Sequence, residues 1–158
     1  MKRCMVALDI QNFFKPSPGV VHQVNQLALQ IPTVATLFKH QEDIVPLDKL
    51  TDKSWPSDDD CLVSTSSVFY KHGYGLPKEV ISWLKEQKAD EVLLTGGHTD
   101  AAVLAAGFDL FDAGVIPVMV PMLCYGNDWY MHTVTTGIWS QEIGKVFEST
   151  AELQFSAA

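Results

Sequence analysis

The stretch Val92-Leu93-Leu94-Thr95-Gly96-Gly97-His98-Thr99-Asp100-Ala101-Ala102-Val103 decides the fold. It opens as a buried strand, turns at two consecutive glycines and enters a helix through Thr99 and Asp100, either of which can cap the first helical amides. The helix predicted to follow has small residues on one side and large apolar residues on the other. Gly114 is a suitable residue to end this helix. This order of strand, glycine turn and helix indicates an open α/β sheet with its site at the carboxyl edge of the strands.

Strands and helices alternate along the rest of the chain. The hydrophobic pattern predicts strands at residues 4–8, 33–38, 61–64, 92–94, 115–120 and 145–147. It predicts helices at residues 20–31, 77–87, 99–113 and 127–139. We therefore expect an α/β fold of the three-layer, Rossmann-like type, with a mostly parallel sheet of about five or six strands and helices on both faces.

Two connections break this alternation. Residues 39–60 show no period, so they are predicted to form a loop, with room for one short helix. A connection of that length in a compact domain is more often functional than idle. Residues 70–77 are predicted to form a second loop. The proline in the strand at 115–120 indicates a peripheral or irregular position in the sheet.

Composition bounds the class of protein. The 158 residues are 47% hydrophobic and 19% charged, which predicts a single domain over residues 1–158. The formal net charge of −8, with no basic run, argues against nucleic acid and anionic membranes as partners. Three scattered cysteines indicate a reducing compartment. The apolar run before Asp9 is too short for a signal peptide or membrane span, so we expect a cytoplasmic protein.

A glycine turn before a helix also suggests phosphate binding, but this turn does not fit. The segment Gly96–Ala101 lacks the G-x-G-x-x-G spacing, and no G-K-[ST] follows it. Asp100 in the first helical turn would repel a pyrophosphate. Nucleotide binding at this turn is therefore not expected.

Four segments together resemble the isochorismatase-like cysteine hydrolases, which include nicotinamidases and carbamoylsarcosine amidases. Asp9-Ile10-Gln11-Asn12-Phe13-Phe14 is similar to the D-x-Q-N-x-F segment after the first strand of that family. Lys71-His72-Gly73-Tyr74 resembles its K-x-x-Y segment, and residues 96–103 resemble G-x-x-T-D-x-C-V. Residues 108–114 resemble the helix that follows. Each segment is weak evidence alone, but their order covers nearly the whole chain.

The resemblance implies an Asp, Lys and Cys triad at the carboxyl edge of the sheet. By this matching Asp9 is the general base, Lys71 is its cationic partner and position 102 is that of the nucleophile. The amides of His98 and Ala102 would form an oxyanion hole for an attacked carbonyl. The family also implies a cis peptide bond between Gly97 and His98. We expect no cofactor.

Ala102 departs from the family pattern, because the family has its nucleophilic cysteine at this position. An alanine cannot attack a carbonyl, so the chain as written has no covalent thiol chemistry at position 102. Three explanations compete: an inactivated amide hydrolase, a natural thiol-independent isochorismatase-type enzyme that cleaves a vinyl ether, and a non-catalytic protein that only binds its ligand. The other motif residues are intact, which favours the first explanation.

The expected partner is a small carbonyl-containing substrate. Five residues are candidates to contact it: Gln11, Phe14, Tyr74, Tyr125 and Trp129. The family resemblance also implies a homo-oligomer, either a dimer or a tetramer.

Cys124 and His40 are two further candidates for a functional role. Cys124 follows the strand predicted at 115–120, where it is either a displaced nucleophile or, more simply, a small apolar core residue. His40 lacks other ligands at a usable spacing, so no metal is expected.

Overall fold

The computed structural model describes residues 1–153. Its strands are β1 (Arg3–Leu8), β2 (Thr33–Phe38), β3 (Val68–Lys71), β4 (Glu91–Gly97) and β5 (Ile116–Tyr125). Its α-helices are α1 (Pro18–Ala28), α2 (Leu47–Leu50), α3 (Lys78–Glu86), α4 (Leu104–Asp112) and α5 (Trp129–Glu142). Short 3₁₀ turns cover Asn12–Phe14 and Thr150–Leu153, and a π-helical turn, Thr99–Val103, leads directly into α4.

The five strands form one sheet in the order β3-β2-β1-β4-β5, and every neighbouring pair is parallel. Leu8, the last residue of β1, lies opposite Thr36 of β2 and Gly96 of β4. Because the strands are parallel, the segments that follow β1, β3 and β4 all leave the sheet at the same edge. The order of strands thus brings distant parts of the sequence together there.

Alternate side chains of β1 enter two different cores, as expected for a strand that is buried on both faces. Cys4, Val6 and Leu8 pack with buried residues of α3, α4 and α5. Met5 and Ala7 belong to the other core, where they pack with buried residues of α1. The predicted three-layer α/β architecture is therefore confirmed. Within residues 1–153, no helix combines the length and the apolar character needed to cross a membrane.

The third strand was predicted in the wrong place. Cys61 forms only an isolated antiparallel bridge with Gln11, whereas β3 pairs in parallel with β2. The strand was missed because β3 is short and lies at the edge of the sheet, where Val68 and Tyr70 are exposed and only Lys71 is buried. An edge strand with exposed aromatic and polar side chains lacks the apolar run on which the prediction relied.

Two smaller expectations also differ from the structure. Residues 145–147 contribute a single parallel bridge between Met119 and Val146 rather than a strand. Neither Thr99 nor Asp100 caps the helix, because His98 occupies the N-cap position without a side-chain hydrogen bond. The Thr99 hydroxyl instead lies 2.8 Å from His132 Nδ1 on α5. Gly114, by contrast, ends α4 as predicted, with φ of 77°.

Candidate active site

Asp9 and Lys71 form a buried ion pair at the carboxyl edge of the sheet. Lys71 Nζ donates to Asp9 Oδ2 over 2.6 Å, and the two side chains are only 3% (Asp9) and 1% (Lys71) exposed. The other carboxylate oxygen of Asp9 accepts a hydrogen bond from the Thr36 hydroxyl at 2.7 Å. Asp9 follows β1 with φ of 51°, a left-handed conformation that aspartate tolerates better than most residues. Together, β1, β2 and β3 fix this carboxylate from three sides.

The glycine turn brings β4 into close contact with β1 just beside Asp9. A Cβ atom at Gly96 would lie 2.1 Å from the carbonyl oxygen of Leu8, and its φ of 107° is strained for any other residue. The peptide bond between Gly97 and His98 is cis, at the position that the family resemblance implies. The chain then enters the π-helical turn, in which Ala102 is 4% exposed.

Asp9, Lys71 and Ala102 all line one cavity of about 510 Å³, although they lie far apart in the sequence. His98 lines the same cavity, as do Asp100 and Asn127. The buried ion pair is thus accessible from the cavity, next to the first turn of a helix. Such a turn offers unpaired backbone amides to a ligand.

His98 is half-buried, and its ring packs edge-on against Phe14 at 5.2 Å and Tyr125 at 6.2 Å. Burial lowers its pKa; Asp100 and Asp9 oppose this effect, whereas Lys53 and Lys71 add to it. The imidazole is therefore neutral near pH 7. A neutral ring adds no positive charge next to Lys71.

The connection between β2 and β3 supplies a further part of the cavity wall, through Lys53, Ser54 and Trp55. The Trp55 ring packs on Phe38 at 4.8 Å and meets Tyr74 at 5.5 Å. Sequence reasoning did not select these three residues. The available signal was the length of this irregular connection, which indicated a functional loop without identifying its residues.

Two of the five candidate contact residues, Phe14 and Tyr74, line the cavity. Gln11 instead binds the backbone of Phe38, with its side chain accepting from Phe38 N at 2.7 Å and donating to Phe38 O at 3.1 Å. Tyr125 covers Gly97 and donates from its hydroxyl to Asp9 O over 3.3 Å. Trp129 is 80% exposed at the start of α5. These three residues lie outside the cavity lining, and their contact with a substrate stays a prediction.

Cys124 is buried in the core, and its thiol lies 3.5 Å from the carbonyl oxygen of Leu94. Burial raises the pKa of Cys124 to about 12. A thiol with such a pKa is almost entirely protonated near neutral pH, and only the thiolate is nucleophilic. The interpretation of Cys124 as an apolar core residue agrees with this environment, and a displaced nucleophile does not.

We expect Cys124 to resist alkylation by iodoacetamide in the native protein near neutral pH. Its thiolate fraction at pH 7 would be on the order of one part in a hundred thousand, from the difference between its pKa and the pH. Peptide mass spectrometry before and after unfolding in guanidinium measures the protection directly. Equal labelling rates in the two states would show that Cys124 is accessible and ionised.

His40 lies 2.8 Å from Glu42, as an exposed pair on the connection after β2. Among the described residues, no three His, Cys, Asp or Glu side chains are grouped in a way that could hold a metal ion.

The fold is similar to that of solved structures of isochorismatase-like hydrolases and amidases. A solved isochorismatase-like hydrolase from Alkaliphilus metalliredigens matches with a TM-score of 0.79 and 14% identity, covering 98% of both chains. A pyrazinamidase/nicotinamidase from Streptococcus mutans matches with a TM-score of 0.75 and 18% identity, over 92% of this chain and all of that one. An N-carbamoylsarcosine amidase from Thermoplasma acidophilum matches with a TM-score of 0.75 and 19% identity, over 92% of this chain and 95% of that one. No protein-family model and no curated protein matches the sequence.

Proposed function

We propose that this chain has the site of a small-molecule amide hydrolase whose nucleophile position is occupied by Ala102. As written, it binds a carbonyl compound and does not form a thioester. The observation that carries the proposal is the buried pair of Asp9 and Lys71, 2.6 Å apart, on the wall of the cavity that Ala102 also lines. Two opposite charges that are almost fully buried beside an open cavity are more typical of a reaction site than of a structural core.

Each residue has a role that its chemistry allows. With a thiol at position 102, the Asp9 carboxylate would accept the thiol proton. The positive charge of the Lys71 ammonium would stabilise the thiolate that results. The first turn of the helix leading into α4 would stabilise the thiolate through its partial positive charge. The amides of His98 and residue 102 are proposed to bind the oxyanion of the attacked carbonyl.

The reaction of such a thiol enzyme has two steps. In the first, the sulfur attacks the amide carbon, the C–N bond breaks, and the amine leaves with a proton delivered from Asp9. In the second, water cleaves the thioester, which releases the carboxylic acid and restores the thiol. Alanine at position 102 lacks only the sulfur atom that attacks the amide carbon. The cavity and the ion pair of Asp9 and Lys71 therefore remain available for binding.

Replacing Ala102 by cysteine tests this proposal. We expect the new thiol in Ala102→Cys to react with iodoacetamide about tenfold or more faster than Cys4, Cys61 or Cys124, since burial raises the pKa of each native thiol. Mass spectrometry of the labelled peptides gives the rates, and ammonia release from a panel of primary amides gives the activity.

The matched control adds Asp9→Asn to Ala102→Cys, which keeps the shape of the side chain but removes the base. Its ammonia release is expected to fall to background, because no carboxylate then takes up the thiol proton and delivers it to the leaving amine. Slow labelling of Ala102→Cys without ammonia release would contradict the proposed function. Ammonia release by the unmodified chain would also contradict the proposal, because it would show that hydrolysis proceeds without a thiol at position 102.

A further inference from the structure

Positive charge is concentrated at the cavity, although the protein as a whole is acidic. Three of the 11 basic residues line it, whereas only two of the 19 acidic residues do. The lysines are Lys15, Lys53 and Lys71, and the carboxylates are Asp9 and Asp100. With a net charge of −8 for the chain, the positive balance of the cavity is a local property.

The lysines differ in what they already bind. Lys71 is neutralised by Asp9 in the buried pair. Lys15 and Lys53 are exposed, and in the part of the chain that the structure describes neither of them has an ion-pair partner. Asp100, the remaining charge, is half-buried and lies next to Gly126. Two lysines on the solvent side of the cavity are therefore free to meet an anion.

The other walls are aromatic. Phe13 and Phe14 come from the turn after β1, where their rings meet at 5.2 Å. Trp55 and Tyr74 come from the segments on either side of β3, with their rings 5.5 Å apart. Flat aromatic side chains from two parts of the chain favour a flat ligand, because stacked and edge-on ring contacts both require planar partners.

We propose that this cavity takes a planar amide that also carries a carboxylate, which Lys15 and Lys53 bind at its solvent side. The inference rests on the proposed function, because that places the amide carbonyl beside Asp9, Lys71 and Ala102. The buried pair contributes no net charge, so discrimination between a neutral and an anionic ligand falls to the two exposed lysines. A chain of net negative charge would otherwise repel such a ligand.

Paired probes test the inference on the unmodified chain: 3-carbamoylbenzoate, which is a planar amide with a carboxylate, and benzamide, which lacks only the carboxylate. We expect 3-carbamoylbenzoate to bind at least about fivefold more tightly in low salt, which is the range open to two exposed ion pairs. Isothermal titration calorimetry, repeated at high salt, measures the difference. The preference should shrink as salt screens the lysines.

The double substitution Lys15→Gln with Lys53→Gln should remove most of the preference for 3-carbamoylbenzoate over benzamide. Lys49→Gln with Lys85→Gln is the matched control, because it changes the net charge equally at two exposed lysines outside the cavity lining. Equal binding of the two probes, loss of the preference in the control, or no binding of either probe would overturn the inference. The proposed function is judged separately, by the reactivity and ammonia release of Ala102→Cys.

Discussion

Replacing Lys71 by methionine is expected to destabilise the protein by about 3–5 kcal/mol, because it leaves the Asp9 carboxylate buried without its partner. Methionine fills a similar volume, so the loss comes from the uncompensated charge and not from a cavity. For a chain of this length the melting temperature should fall by about 10 °C. Chemical denaturation at neutral pH gives the free energy of unfolding for comparison with the parent chain.

Two variants separate charge from packing in this experiment. Asp9→Asn combined with Lys71→Met should be less destabilised than the sum of the two single variants, because neither charge is then left alone. Lys39→Met removes a partly exposed lysine that lies 3.9 Å from Asp58, a side chain that is 94% exposed, and should change stability by less than about 1 kcal/mol. If Lys71→Met were as mild as Lys39→Met, the pair would not be the buried one described here.

Gly96→Ala is expected to abolish folding or to cost on the order of 4 kcal/mol or more. The added Cβ would lie 2.1 Å from Leu8 O and 2.8 Å from Leu8 N, on the central strand β1. Backbone atoms of a central strand cannot move away as the end of a flexible side chain can. The φ of 107° adds conformational strain to the steric clash.

Two other glycines provide graded controls for this substitution. Gly114 has φ of 77°, and no atom lies within 4 Å of the place that an added Cβ would take, so Gly114→Ala should cost about 1–2 kcal/mol from conformation alone. Gly19 lies in α1 in open space, and Gly19→Ala should be neutral or stabilise by about 0.4–1 kcal/mol. Circular dichroism during denaturation ranks the three variants. A Gly96→Ala variant no worse than Gly114→Ala would mean that β1 and β4 can separate at Leu8.

The sequence predicted those elements whose pattern is local and strong. β1, β2 and β4 are buried on both faces and therefore read as continuous apolar runs. It failed at β3, since an edge strand exposes half of its side chains and has no such run. Lys71 was nevertheless selected as a site residue, through its place in a motif and not through its predicted structure.

The order of motifs along the chain also placed Asp9, Lys71 and Ala102 at one edge, since parallel strands all end on the same side of a sheet. That step needed no side-chain geometry. The hydrogen bonds of two other candidate residues depend on tertiary packing. The Gln11 side-chain amide binds the backbone of Phe38, and the Tyr125 hydroxyl donates to Asp9 O. Both side chains support the site from behind its wall.

The sequence by itself thus determined the layers, the parallel sheet and the edge at which a site could form, because periodicity and chain order carry that information. Only the tertiary structure decided which side chains line the cavity. Lys53 and Trp55 reach its wall from an irregular connection, and Lys15 reaches it from a turn. Their positions depend on contacts between segments distant in sequence, and no local pattern of residues records such contacts.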